Sequence, residues 1–538
     1  MAAGGDQQTA VPGPGPGTPG PASPGPASPT PATTAPPAGR RPWWVWAVPF
    51  AALFIMLCVR NRFLFTTRLY EQGDGGANAI LIAQAKHFTL LIGNYSREGF
   101  NHPGPAYLYV QAFGEYLFQN LLHLVPTAWN AHMLSVFALD SAFVALAVGV
   151  VYGWTRSVRG AAACFAVFVA FAVAYPPIVN SDWMPYMYVP TYVVFLLAAA
   201  SVAAGRGQDA WVLALSGWFL VHGQACFLLF VPVITVAVLV AVAWPARRTP
   251  RASAAAFFRE RRVWLPVVVI SAVFALPIVI NLVLHWPGDF GRYITYGKSS
   301  SAGGHGVRQV LRYALHFWWP HPLAWLVLVL ACAAALGLVW RLGPGTLRRF
   351  CLALLAIDLV SSLAFVFYAA VGIDDLKAYY IGYFYWSAPL VVALVVVLVA
   401  AETIGARAGT VLAAVAALAA FVALTVVPGT STSTNDIDQA LPHVVATLAA
   451  RAPGKMIVLR IDHSAWVETT GVLIQAERTG VRACVDQPRY TVLFSRQFIC
   501  TPAQAAGGAD FWFYTAGSQP PGAHVLLQFS GVTVAPAP

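Results

Sequence analysis

From Trp43 onward, apolar runs of about twenty residues recur along the chain, separated by short polar or arginine-bearing turns. A helix of that length crosses a hydrocarbon core of about 30 Å. The pattern predicts eleven spans, at 43–59, 131–154, 160–178, 187–205, 210–222, 225–244, 263–285, 321–340, 350–371, 380–402 and 408–428. The fifth and sixth are short and meet at His222-Gly223-Gln224. The segment 105–123 is apolar on one side only and carries Gln111, Glu115, Gln119, Asn120 and His123. It predicts an amphipathic helix lying in the interface rather than a crossing.

Composition agrees with this reading. Apolar residues make up 58% of the 538, and charged residues only 10%. A soluble domain carries about a quarter of its residues as charges, so a soluble enzyme is excluded. The formal charge of +11 reports topology first. With eleven spans and an internal N-terminus, the inner turns hold arginines at 156, 159, 206, 247–262, 341, 348, 349 and 407. If 105–123 crossed as well, those at 156, 159, 206 and 247–262 would move outside. The expected protein is therefore a multi-pass protein of the cell (inner or plasma) membrane, with a cytoplasmic N-terminus and an extracytoplasmic C-terminus. No basic stripe interleaved with aromatics points to nucleic acid.

Two regions flank the spans. Residues 1–42 hold twelve prolines among Gly, Ala, Ser and Thr, the composition of a disordered cytoplasmic tail. Residues 429–538 change character. The strand-like 456–461 and 481–485, a helix-like 464–479 between them and a final strand-like 524–529 predict a small α/β domain outside the membrane. Cys484 and Cys500 are the two cysteines of that domain, where oxidation is permitted, and they are expected to pair. The TVLF run between them is expected to fold back as a hairpin. No CxxC or His-rich spacing accompanies them, which argues against a metal site.

Candidate chemistry concentrates in the first outer segment, 60–130. It contains Gln72-Gly73-Asp74-Gly75-Gly76 and, about thirty residues later, His102-Pro103-Gly104-Pro105 with Tyr107 and Tyr109. An acidic residue just past the first span, followed by such a turn opening an interfacial helix, resembles the GT-C superfamily of membrane glycosyltransferases. Trp183-Met184-Pro185-Tyr186 and Trp286-Pro287-Gly288-Asp289 are similar to outer-loop motifs of its bacterial members. The resemblance covers 43–428 as an architecture. It implies a helical polytopic fold, a polyprenyl-phosphate-linked sugar donor, a cell-envelope glycan, lipid or protein as acceptor, and Asp74 at the place of the catalytic acid. The chain departs from the pattern in two places: Glu71 and Asp74 are three apart instead of adjacent, and Gly104 replaces a proline.

The residues support that reading on their own chemistry. An acceptor hydroxyl needs a positioned base, most simply a carboxylate, and Asp74 is the candidate. The glycines around it would permit a tight turn and close substrate approach. Glu98 is a second carboxylate, able to hold an acceptor sugar, orient His102 or act as the base itself, or else to pair with Arg97 or Lys86; Glu71 is left open as a base too. His102 is either a donor to phosphate or a structural part of its turn. Tyr107 and Asp182 are further candidates for the substrate cavity. The anionic leaving group needs cations, which the loop 286–320 offers as Lys298, Arg308 and Arg312; these residues equally suit lipid headgroups. The run 299–306 beside them could serve as a lid. No cofactor is indicated, and a divalent metal is left open. Asp140 and Asp358 lie inside spans, where carboxylates default to a functional hypothesis. They give the alternative, a transporter or flippase of lipid-linked sugars, against plain helix-to-helix hydrogen bonding.

Overall fold

The structure is a computed structural model and describes residues 1–5, 10, 41–246, 261–299, 304–319, 322–343, 345–404, 419, 422–423 and 437–536. The chain divides into two compact units, Met1–Ala35 and Pro36–Pro538. Nearly all of the proline-rich tail lies outside the described residues, as do most of the predicted span 408–428 and positions 300–303 of the expected lid. All that follows concerns the second unit.

Its helices are α1 (Trp44–Arg60), α2 (Gly73–Ala85), α3 (Ala106–Gly114), α4 (Ala128–Thr155), α5 (Val158–Ala174), α6 (Met184–Ala203), α7 (Ala210–Gly223) and α8 (Phe227–Ala246). They continue with α9 (Arg261–Leu284), α10 (Gly288–Lys298), α11 (Val307–His316), α12 (Ala324–Arg341), α13 (Thr346–Val371) and α14 (Ser387–Thr403). Among the described residues six helices are long and apolar enough to cross a membrane: α4, α6, α9, α12, α13 and the run Tyr379–Thr403 that ends in α14. The fifth predicted span, α7, has 14 residues and a length of about 21 Å, short of a full crossing.

The apolar runs form helices because a backbone in hydrocarbon must satisfy its hydrogen bonds internally. Their packing then divides them. α6 is apolar all round and forms the centre, buried without interruption from Val189 to Ala200 against α4, α7, α8 and α13. On α9, by contrast, Val268, Val269, Val273, Leu276 and Val283 face outward. The two ends of the bundle are chemically distinct. At one, Arg41 pairs with Asp209 at 2.6 Å and Arg159 reaches Glu402 at 3.8 Å. At the other lie residues 60–130, the start of α6 and the end of α13.

Two local expectations are corrected at that second end. The Gly-rich stretch around Asp74 is no loop: it opens α2, with Gly73 at φ +58° making the entry. The segment 105–123 is not one regular helix, since α3 widens into a π-helical run over Glu115–Leu121. Its polarity is also inverted, with Gln111 and Glu115 buried and Phe113, Tyr116 and Leu121 exposed. Glu115 turns inward to meet Lys86 at 2.5 Å and His132 at 3.0 Å.

The C-terminal region is a small α/β domain. It contains α15 (Leu441–Arg451), α16 (Trp466–Arg478) and strands β1 (Ile457–Ile461), β2 (Ala483–Val485), β3 (Ala509–Thr515), β4 (Leu527–Phe529) and β5 (Val532–Pro536). Sheet order is β2-β1-β3-β5-β4, with β1 parallel to β2 and β3, and β5 antiparallel to β3 and β4. α15, β3 and β5 are additions to the predicted elements. The TVLF run 491–494 is a helical turn rather than a hairpin. A disulfide joins Cys484 of β2 to Cys500, 5.0 Å apart at Cα.

α2 and α16 form the seam between this domain and the membrane helices. Gly76 allows the approach, because a Cβ there would lie 2.5 Å from the Thr470 Oγ1. The same hydroxyl donates to the Gly73 carbonyl at 3.2 Å. Arg478, at the end of α16, forks onto both oxygens of Glu71 at 2.6 and 3.1 Å.

Candidate active site

At the second end of the bundle a cavity of about 530 Å³ opens between α2, the segment 94–102, the start of α6, α10 and the end of α13. Asp74 faces it from the first turn of α2, where the helix dipole favours a negative charge. Tyr95 donates its hydroxyl to Asp74 Oδ1, and the Trp183 indole N–H donates to Oδ2 at 2.7 Å. A carboxylate has about four lone-pair sites, so two remain for a ligand.

The other charges of the cavity come from one short segment and its neighbour. Arg97 contacts both oxygens of Asp374 at 2.5 and 2.6 Å, and its Nε lies 3.2 Å from Glu98. Its guanidinium also sits 5.9 Å from the centre of the Tyr380 ring. Burial pushes the Glu98 carboxyl up, the Asp374 charge adds to that, and Arg97 pulls against both.

His102 lines the same cavity. Its Nδ1 accepts from the Ala225 backbone N–H at 3.2 Å, which places the ring proton on Nε2. Burial pushes this imidazole down to about 4, so it is neutral near pH 7. The turn His102–Pro105 is docked on His222. The Gly104 N–H donates to the His222 carbonyl, and a Cβ at Gly104 would lie 2.4 Å from the His222 Nδ1. A proline at 104 would therefore strike that ring, which explains the departure seen in the sequence. His222 accepts from the Ala106 N–H and donates to the Phe274 carbonyl at 2.8 Å, tying the turn to α7 and α9.

Of the other residues expected at the site, Tyr107 is buried beside Tyr188 and Phe219 and donates to Thr191; it lies off the cavity. Asp182 accepts from the Trp129 indole at 2.9 Å, one residue from the cavity-lining Trp183. Lys298, Arg308 and Arg312 are exposed and not brought to the cavity. Their loop contributes Tyr293 and Tyr296 instead. Glu71 is buried in the seam and held by Arg478, away from the lining. Asp140 and Asp358 are buried in α4 and α13 and line neither this cavity nor the groove described below. No cluster of three metal-ligating side chains occurs among the described residues.

Sequence reasoning missed Asp374 and Tyr380 as lining residues, and Arg97 as more than a partner for Glu98. They carry no motif, and only the fold brings 97, 374 and 380 together. Trp466, from the C-terminal domain, was missed for the same reason.

No family model matches the chain, and no curated protein matches it. A solved structure does. ArnT from Cupriavidus metallidurans, in the apo state, superposes with a TM-score of 0.56 at 13% identity, over 91% of this chain and 97% of that one. The two chains share one fold over nearly their whole lengths. The chain is thus a membrane-integral helical protein carrying a small C-terminal sheet domain. The Archaeoglobus fulgidus oligosaccharyltransferase, in the apo form, also matches at 13% identity over 82% of this chain and 64% of that one. Its TM-score is 0.36, too low to support an argument.

Proposed function

We propose that the chain is a GT-C-type glycosyltransferase that moves a sugar from a polyprenyl-phosphate donor to a hydroxyl of a cell-envelope acceptor on the outer face. In this reading the tail 1–42 is cytoplasmic, 43–428 is the membrane catalytic domain, and 429–538 lies outside. One observation carries the proposal: the turn His102–Pro105 contributes to the walls of both the Asp74 cavity and a second, apolar groove. His102 lines the cavity, while Pro105, Ala106 and Tyr109 line a groove of about 1040 Å³. Phe88, Phe113, Phe219 and Phe274 form further walls of the groove, and Val273, Leu276 and Ile280 of α9 open it outward. A donor with an apolar tail and an anionic head matches that division, with the tail in the groove and the sugar phosphate in the cavity.

The chemistry then follows from the residues present. Tyr95 and Trp183 fix the Asp74 carboxylate, which takes the proton of the acceptor hydroxyl. The acceptor oxygen forms a bond to the anomeric carbon. The bond from that carbon to the phosphate oxygen breaks, and its electron pair leaves with the polyprenyl phosphate. His102 Nε2–H and Arg97 are the donors on hand for the phosphate, which competes with Asp374 for the guanidinium.

The test uses the full-length protein in nanodiscs with radiolabelled polyprenyl-phosphate sugars. Transfer of label with stoichiometric release of polyprenyl phosphate is expected. Movement of intact donor across vesicles without its cleavage would contradict the proposal and support the transporter reading.

A further inference from the structure

Among the described residues lining the cavity, Trp466 alone comes from the C-terminal domain. Its ring is half-buried and opens α16. The position of α16 is rigidly set. Gly76 and Thr470 are in close approach, and a Cβ on Gly471 would lie 3.0 Å from the Glu71 carbonyl. Arg478 pins the far end of the helix to Glu71. Asp74 and Trp466 therefore stand at the starts of two helices locked side by side. Tyr95 lies between them, donating to Asp74 and meeting the Trp466 ring edge-on at 6.2 Å.

The lining combines aromatic rings with carboxylates: Trp183, Tyr296, Tyr380 and Trp466 beside Asp74, Glu98 and Asp374. A sugar ring has an apolar C–H face and a rim of hydroxyl donors, which those two groups cover respectively. An acyl chain would cover the remaining lone pairs of these carboxylates without bonding them, at a desolvation cost. The apolar groove that suits a donor tail has no lining residue from the C-terminal domain. Trp466 is thus outside the groove that suits the donor tail.

We propose that Trp466 is the platform on which the acceptor sits, that the acceptor is a carbohydrate, and that the C-terminal domain thereby sets acceptor specificity. The inference rests on the glycosyl-transfer reading of the cavity, and its test separates the two. The probes are methyl glycosides of mannose, galactose and arabinose and their disaccharides, with full-length protein in nanodiscs followed by saturation-transfer NMR. Wild type should bind at least one probe, with saturation strongest at the C–H protons of one ring face. Trp466→Ala should weaken that binding about tenfold, and Trp466→Phe should stay within about threefold of wild type. In transfer assays the acceptor KM should rise for Trp466→Ala while the donor KM stays unchanged. In an Asp74→Asn background Trp466→Ala should still weaken probe binding about tenfold, while transfer is lost with or without it. Equal binding by Trp466→Ala and wild type would overturn the proposal. So would a Trp466→Phe variant no better than Trp466→Ala, or a wild type that binds none of the probes. An Asp74→Asn variant that still transfers sugar would remove the base and not the platform.

Discussion

Glu71 and Asp74 are three residues apart, yet they belong to opposite kinds of surroundings. Glu71 is wholly buried in the seam between α2 and α16, with both oxygens taken by Arg478 and His132 at 3.9 Å. Burial alone would raise its carboxyl, and the Arg478 guanidinium overcomes this and holds it below the usual range. Asp74, in the first turn of α2, is held by neutral donors and faces open space. The same type of side chain serves assembly in one place and is available to a substrate in the other. What separates them is whether a cation has already saturated the carboxylate.

The largest effect expected from that contrast is on stability. Glu71→Gln takes the buried carboxylate away from Arg478, which is itself partly exposed, so the loss should fall at or below the about 3–5 kcal/mol of a fully buried pair. Thermal unfolding should shift down accordingly, and the double change Glu71→Gln with Arg478→Met should recover much of the loss. A Glu71→Gln protein of normal stability would break the comparison. Next comes Arg97→Ala on the cavity side. Losing a positioned donor for a developing charge should cost ~10²–10³ in transfer rate, with little change in melting. If melting falls as far as for Glu71→Gln, Arg97 belongs with the seam.

Reducing the Cys484–Cys500 disulfide releases a loop with a sequence separation of 16. A loop of that size is worth about 3 kcal/mol at most, so denaturation of the C-terminal domain should move to lower denaturant while probe binding in the cavity persists at low denaturant. An unchanged midpoint would remove the bridge from the account.

A further effect is expected with pH. His102 is neutral in the fold down to about 4 but protonates near 6.5 when unfolded. The unfolded chain therefore binds more protons in that window, and stability falls as pH drops from 6.5 towards 4. Glu71 adds its loss only below the unfolded glutamate value of about 4.3, as its ion pair is protonated. His102→Asn should make the upper window shallower and leave the lower one; equal slopes in both proteins would contradict the assignment.

Much of the architecture was legible in the sequence because a backbone in lipid has few choices. The apolar runs became helices with ends shifted by a few residues, as α4 and α13 illustrate. Asp74 and His102 could be read because a short-range pattern ties them to the first span. Arg97, Asp374, Tyr380 and Trp466 could not, since they meet only through tertiary convergence. Other omissions did have a local signal. Leu441, Val444, Val445 and Leu448 repeat at helical spacing in α15, and the aromatic run in β3 favours a strand. The exposed cations Lys298, Arg308 and Arg312 lie off the cavity, because charge along a loop does not fix where that loop packs.

The most direct measurement is single-turnover sugar transfer by purified Asp74→Asn against wild type, with thermal unfolding measured on the same samples. Asn keeps the size of the side chain and can still accept from Tyr95 or Trp183, but it cannot take the acceptor proton. The account predicts a rate lower by ~10²–10⁴ with unfolding little changed. Transfer at a near wild-type rate by a folded Asp74→Asn protein would contradict it.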